Sequence, residues 1–352
     1  MTFYILYSRT IFYKLMFKKK PFLVAEISAN HAGKLSIAKK LIFEAKKYGA
    51  DAIKLQTFDA DDMVIKSKSK KFFISSGEWK GKYLWDLYNE ASTPYSWHKE
   101  LFSYSKKIGI KCFSTPFSSR AVDLLEKLKC PFYKIASFEM NDLELIKKVS
   151  KTNKKIIIST GMASLEEINT SYQTAKKNGA KEITLLYCVS KYPSDNMDFN
   201  LENIKILKEK FNCTIGLSDH SVDNDIAKFA AFLGADIFEK HICLKKNLGL
   251  DSKFSITTKE IKKYKEAITK GYYLRGKKIF YRNKSEIKNK MYRRSLYITK
   301  DIKKGEKFTV DNVKKLRPAF GLDMKFYKKI LGKKAARNLK NNNTLKAKDI
   351  KN

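Results

Sequence analysis

The chain has little of several things, and each shortage removes a class of function. Five cysteines in 352 residues include no C-x-x-C pair. That argues against a disulfide framework or a closed zinc site and fits a reducing, cytoplasmic setting. Acidic residues number 36 against 73 lysines and arginines, a formal net charge of +37. An excess of that size raises a nucleic-acid or membrane-surface partner. No zinc-finger spacing, aromatic RNA-binding signature or basic-helix heptad accompanies it, and the lysines spread along the whole chain. The reading is a solvated lysine-rich surface that attracts anionic substrates, with no nucleic acid bound. No apolar run is long and clean enough to cross a bilayer. The first twenty residues, MTFYILYSRTIFYKLMFKKK, are broken by polar positions. Their charges follow the apolar part, and they carry no small-residue cleavage site. Residues 1–20 are therefore expected to be an N-terminal extension, with Met16 as an alternative start and membrane-surface contact as the second reading there.

What is present is a repeating pattern. With 43% hydrophobic and 13% aromatic residues the chain has enough apolar material for a large core. From residue 21, apolar runs alternate with helical patterns eight times. The runs are FLVAEIS (22–28), AIKLQ (52–56), IKCFSTPF (110–117), FYKIAS (132–137), KIIIST (155–160), EITLLYC (182–188), CTIGLSD (213–219) and DIFEKHIC (236–243). Most are continuous rather than alternating, as parallel strands buried on both faces should be. Amphipathic stretches lie between them, such as 36–49, 121–129 and 224–234, and a last one over 257–273 opens on threonines suited to capping. Eight strand–helix units in about 250 residues is the arithmetic of a (β/α)8 barrel. An open doubly wound sheet is the alternative, but no glycine-rich phosphate loop opens the first helix. One connection, from Thr57 to about Thr93, is long enough to be a functional loop or lid. The expected organisation is a barrel over 21–275, a basic linker over 276–292 and a compact β-rich domain over 293–352.

The ends of the strands are polar. Glu26 closes the first, Lys54 and Gln56 the second, Ser114 and Thr115 the third, and Lys134 and Ser137 the fourth. Ser159 and Thr160 close the fifth, Ser190 and Tyr192 follow the sixth, Ser218, Asp219 and His220 the seventh, and Glu239, Lys240 and His241 the eighth. In barrel enzymes the chemistry sits at this end. Polar groups turned into a barrel need partners, and any one of these could be a satisfied core group; all eight strands share the pattern. Two strand lysines with several hydroxyls suit a small anion carrying phosphate and carboxylate. Two of only four histidines, on adjacent strands, suit a divalent metal with open positions. A buried ion pair with Glu26 or Glu239 is the plainer reading of Lys54 and Lys134. His98 is expected to be structural, and His31 to stand just outside the contact layer.

The ordered set AEISANHAG, KLQT, FSTPF, YKIAS, STGMAS, GLSDHS and EKH resembles the sialic acid synthase family. The tail, RRSLYITKDIKKGEKFTVDNVKKLRPAFGL, resembles that family's antifreeze-like (SAF) domain, so the likeness covers about residues 21–350. GEWKGKYLWDLYNEASTPYSWH and LDSKFSI look most like the branch that makes pseudaminic acid. The resemblance implies a TIM barrel followed by a small β-rich SAF domain. It implies condensation of phosphoenolpyruvate with an N-acetylated amino sugar, 2,4-diacetamido-2,4,6-trideoxy-altrose in this branch, to give a nine-carbon keto acid and phosphate. Neuraminic or legionaminic acid synthesis is the alternative within the same chemistry. A metal-dependent pyruvate aldolase and a basic binding protein on a retired barrel are alternatives outside it.

By the same resemblance, His220 and His241 hold manganese, magnesium or cobalt. Lys54, Lys134, Ser137, Ser159, Ser190 and Ser218 hold phosphoenolpyruvate; the sialic-type enzymes have Asn where this chain has Ser190. Gln56, Tyr192 and Asp251 face the sugar, and Arg317 reaches from the SAF domain into a neighbouring barrel, which implies a domain-swapped homodimer. Glu26 is the expected general base or water-positioning group, with orientation of Lys54 as its alternative. In GLSDHS, the aspartate is expected to orient the serine or the histidine beside it.

Overall fold

A computed structural model of the chain describes residues 21–277 and 279–351; the extension expected over 1–20 lies outside them. The chain divides into two compact units after Gly276. In the first, eight strands run β1 (Phe22–Glu26), β2 (Ala52–Thr57), β3 (Lys111–Pro116), β4 (Phe132–Ile135), β5 (Lys155–Ser159), β6 (Ile183–Cys188), β7 (Thr214–Asp219) and β8 (Ile237–Cys243). Each pairs in parallel with the next, and β8 closes on β1 from Phe22 opposite Ile237 to Glu26 opposite His241. Closure leaves no open edge, and continuous apolar runs such as Ile156, Ile157 and Ile158 are wholly buried between barrel interior and helices.

The helices pack outside: α1 (Leu35–Lys47), α2 (Ala60–Met63), α3 (Leu84–Ala91), α4 (Tyr95–Ile108), α5 (Ser119–Lys127), α6 (Leu143–Ser150), α7 (Leu165–Lys177), α8 (Glu202–Lys210), α9 (Asn224–Leu233) and α10 (Ile261–Arg275). Their sequences dictate which face goes in. In α1, Ala38, Leu41, Ile42 and Ala45 recur at helical spacing and are the buried residues. Ser164 and Glu167 form a reciprocal capping box at the start of α7. A further box, Thr257 with Glu260, caps the single 3-10 turn that leads into α10.

The long β2–β3 connection is built rather than loose. It holds α2, α3 and an antiparallel bridge between Phe73 and Tyr83. Asp62 anchors it: its carboxylate accepts from the Asp59 amide (3.0 Å), the Tyr95 hydroxyl (2.9 Å) and Arg120 Nε (3.0 Å), the last at the start of α5.

The second unit has its own core of Leu296, Ile298, Ile302, Phe308, Val313, Ile330, Ala335, Leu339 and Leu345. After a short two-residue strand β9 (Ile256–Thr257) in the barrel unit and a helix α11 (Lys284–Lys288), strands β10 (Ser295–Ile298) and β11 (Val313–Leu316) pair antiparallel. Bridges Ile302–Leu339, Lys307–Lys334 and Ala335–Ile350 tie the remaining turns. The unit is β-rich and compact.

Candidate active site

Each strand ends with a side chain aimed into the barrel mouth, because alternate residues of a strand share a face. Lys54 and Gln56 therefore point together, as do Glu239 and His241. They open on a cavity of about 400 Å³. Lining it are Glu26, Lys54, Gln56, Lys134, Ser137, Ser159, Ser190, Tyr192, Ser218, His220, His241 and Asp251. Twelve of the thirteen residues given a catalytic, substrate or metal role from the sequence thus converge on one space. Arg317 is the other; it lies exposed in the second unit, just after β11.

Four buried charges form the floor. Lys54 Nζ donates to Glu26 Oε1 at 2.7 Å and lies 3.6 Å from Glu239 Oε2. Lys134 Nζ donates to the other Glu239 oxygen at 3.2 Å, which also accepts from Ser218 Oγ at 3.0 Å. The plainer reading of the lysines as ion-paired is therefore observed, alongside their place in the cavity. Burial pushes the Glu26 carboxyl up, but His241, Lys54 and Lys134 outweigh it and hold the group well below the usual carboxylate range. Its oxygens also accept from Gln56 Nε2 at 2.8 Å and face His241 Nε2 at 3.2 Å.

Several polar atoms here make no hydrogen bond. Glu139 Oε2, Ser159 Oγ, Glu239 Oε2 and His241 Nδ1 are buried without one, although Glu239 Oε2 faces Lys54 Nζ at 3.6 Å. Buried unsatisfied groups are uncommon and destabilising, so four beside one cavity mark positions that a ligand can complete. Gly161 keeps the space open: a Cβ there would stand 2.2 Å from Ser190 Oγ, which lies 3.0 Å from Ser137 Oγ.

The two imidazoles meet the needs of a divalent metal. Their ring centroids are 5.4 Å apart. His220 Nδ1 donates to the Val189 carbonyl at 2.8 Å, which fixes the tautomer and leaves Nε2 as a free lone pair. Burial lowers the His241 pKa, favouring the neutral, ligating form. Among the described residues no cluster of three or more His, Cys, Asp or Glu could hold a metal. An ion here would rest on two imidazoles and keep its other positions for substrate and water, which is how catalytic rather than structural sites are built.

An aromatic wall stands beside the imidazoles. Tyr192 packs on His220 (centroids 4.3 Å) and on Phe254 (5.0 Å), and Trp79 of the long insertion reaches Tyr192 at 6.0 Å. Burial raises the Tyr192 phenol well above its ordinary value, so it acts only as a neutral group. Asp251 is buried as well; it accepts from Ser28 Oγ and from the Ala29 amide, and burial raises its pKa.

One expectation fails. Asp219 orients neither Ser218 nor His220. Its carboxylate accepts from Ser221, from Tyr264 Oη at 2.9 Å, and pairs with Lys240 Nζ at 3.0 Å. Ser218 faces inward, so its neighbour must face the helices, and Asp219 ties β7 and β8 to α10. His98 is structural as expected, bonded to Thr57 Oγ1 at 2.8 Å and to the Pro94 carbonyl at 3.1 Å. His31 is buried edge-on to Trp97, is not among the residues lining the cavity, and has its pKa lowered by burial. Sequence reasoning passed over Trp79, Phe254 and Glu139. The first two lie in the GEWKGK and LDSKFS segments that carried the branch resemblance, so their signal was there; Glu139 had none.

Known proteins resemble this chain along both of its units. The NeuB family model matches residues 41–280 and the SAF domain model residues 293–351. A pseudaminic acid synthase of Campylobacter jejuni is 43% identical over 333 residues, covering 94% of this chain and 97% of the relative. An N,N'-diacetyllegionaminic acid synthase of the same species is 39% identical, covering 92% and 98%. Among solved structures, an N-acetylneuraminic acid synthetase of Leptospira borgpetersenii in complex with citrate superposes with a TM-score of 0.69 at 30% identity, over 76% of this chain and 89% of that one.

Proposed function

The chain belongs to the NeuB family, and we propose that it condenses phosphoenolpyruvate with 2,4-diacetamido-2,4,6-trideoxy-altrose to give pseudaminic acid and phosphate. The observation that carries this reading is the meeting of two buried lysines, two imidazoles and a row of hydroxyls at one cavity. The greater likeness to a pseudaminic than to a legionaminic acid synthase chooses the sugar.

Lys54 and Lys134, with Ser137, Ser159, Ser190 and Ser218, hold the phosphate and carboxylate of phosphoenolpyruvate. Gln56, Tyr192 and Asp251 face the open-chain sugar. Carbon 3 of phosphoenolpyruvate attacks the sugar aldehyde; its π electrons become the new C–C bond and the aldehyde oxygen takes a proton. Water adds at the cationic carbon 2 and loses a proton. The resulting tetrahedral centre breaks its C–O bond to phosphate and becomes the keto group as its hydroxyl proton passes to the departing phosphate. Glu26 has its oxygens engaged by Lys54, Gln56 and His241, which favours positioning of Lys54 and the incoming water over proton abstraction.

The four floor charges cancel, so a bound multiply charged anion leaves net negative charge that a divalent cation offsets. Held by His220 and His241, such an ion supplies a Lewis acid toward the sugar aldehyde. Imidazole donors favour manganese or cobalt over magnesium. Arg317 completes the sugar site from a second copy, in a domain-swapped homodimer. Among the described residues no helix is long and apolar enough to cross a membrane, and all five cysteines are free, which supports a cytoplasmic setting.

The test is phosphate release from phosphoenolpyruvate by metal-depleted protein. It is offered the altrose sugar, its legionaminic-type counterpart or N-acetylmannosamine, each with and without manganese. Release with the altrose sugar alone, and only with metal, is expected. Release with another sugar moves the branch, and no phosphate release from phosphoenolpyruvate together with condensation of added pyruvate would replace the reading with an aldolase. Arg317→Ala is expected to raise the sugar KM about tenfold or more, the usual scale for losing a charged contact, with the phosphoenolpyruvate KM unchanged. An unchanged sugar KM would remove Arg317 from the site.

A further inference from the structure

One end of the cavity takes no part in that chemistry. It is walled by Phe58, Met63, Ile74, Leu84, Leu87 and Tyr88, all supplied by the long β2–β3 connection. Set into the same cavity, on the loop after β4, is Glu139, whose Oε2 is buried without a hydrogen-bond partner. Burial raises its carboxyl to about 7, and the pull of Lys134 does not offset this. A lone carboxylate beside an apolar wall is destabilising unless something donates to it. None of the residues holding the ion-paired floor bonds to it.

We propose that this apolar end, with Glu139 as its one polar anchor, is the subsite for the second acetamido group and the methyl terminus of the sugar. The inference rests on the reading above and deepens it. An acetamido group brings an N–H donor and a methyl group side by side, matching a carboxylate oxygen next to aliphatic side chains. A 6-deoxy carbon needs no polar partner. N-acetylmannosamine would instead present hydroxyls at both places: one can still donate to Glu139 but brings no acetyl methyl to the wall, and the other would stand against apolar carbon. The long connection is thus the specificity element, reading the sugar's far end while the strand ends handle its aldehyde.

The test compares steady-state kinetics of the metal-loaded full chain with two variants, Glu139→Leu and Glu139→Gln, on the diacetamido-trideoxy sugar and on N-acetylmannosamine. Leucine removes the acceptor; glutamine keeps one in its amide oxygen. Glu139→Leu is expected to raise the KM for the diacetamido sugar 10- to 100-fold, with the phosphoenolpyruvate KM unchanged. Glu139→Gln is expected to recover most of that loss. An unchanged KM for the diacetamido sugar in Glu139→Leu, or an equal rise in the phosphoenolpyruvate KM, overturns the subsite while phosphate release keeps the parent reading intact. No phosphate release with either sugar by the unaltered chain overturns the parent reading and this inference with it.

Discussion

On the proposed reading, His241 serves fold and chemistry at once. It sits on β8 beside Glu26 of β1, wholly enclosed, with Nδ1 unpartnered. Replacing it by alanine removes one of the two proposed metal donors and frees Glu26 Oε2, but leaves the Lys54–Glu26 pair to hold the carboxylate. His241→Ala is therefore expected to lower turnover by at least about 10²-fold, the scale of losing one preorganised electrostatic contact. Manganese affinity, measured by titration calorimetry, falls with it while the far-ultraviolet circular dichroism spectrum stays unchanged. Loss of folded protein would instead assign His241 to stability. Glu139 gives a second residue-scale prediction. Its carboxyl is raised in the folded state from 4.5 to about 7. Between those values the unfolded chain gives up a proton that the folded chain retains, so stability falls as pH rises through that window. The loss amounts to roughly 3 kcal/mol above pH 7 by proton linkage, an upper figure. Glu139→Gln should remove that slope and raise the melting temperature at pH 8, as read by calorimetry at pH 5 and pH 8. A parallel slope in the variant would place the titration elsewhere.

At the scale of elements, the barrel was legible because its signals are redundant. Eight apolar runs, each followed by a helical pattern, place the strands to within two residues. The same order places the polar strand ends around one mouth. What stayed hidden depends on direction rather than identity. Asp219 carries the same chemistry as an orienting carboxylate, but the pleat turns it toward Lys240 and Tyr264. Glu139 follows β4 in a turn where no periodicity says which way a side chain faces. The wall supplied by residues 58–91 is legible only as length, since its apolar residues are paired by tertiary contacts and not by spacing. Its anchor is open to trial. Asp62→Ala removes the acceptor for Tyr95, Arg120 and the Asp59 amide together. It is expected to expose 58–91 to limited proteolysis and to raise the sugar KM. The melting temperature should shift by only a few degrees, because about 1–2 kcal/mol of hydrogen bonding is lost locally. A cooperative loss of the whole barrel would contradict this, since the insertion would then be part of the core.

For the whole molecule, the net charge of +37 is a property of surface, spread over both units. A field of that sign concentrates anions near the barrel mouth, and salt screens it over about 10 Å at 0.1 M. Raising sodium chloride from about 50 to 500 mM should therefore raise the phosphoenolpyruvate KM several-fold and leave the KM of the uncharged sugar nearly constant. Equal insensitivity of both would mean that only the buried lysines matter to the anion.

The floor of the site has one more consequence, in the order in which a cell makes this protein. Lys54, Lys134, Glu26 and Glu239 neutralise one another, so their charges are balanced before any ligand arrives, although Glu239 Oε2 still lacks a hydrogen bond. On the proposed reading the chain folds first and takes up ion and substrate afterwards, so a shortage of either would stall the reaction and leave the fold standing.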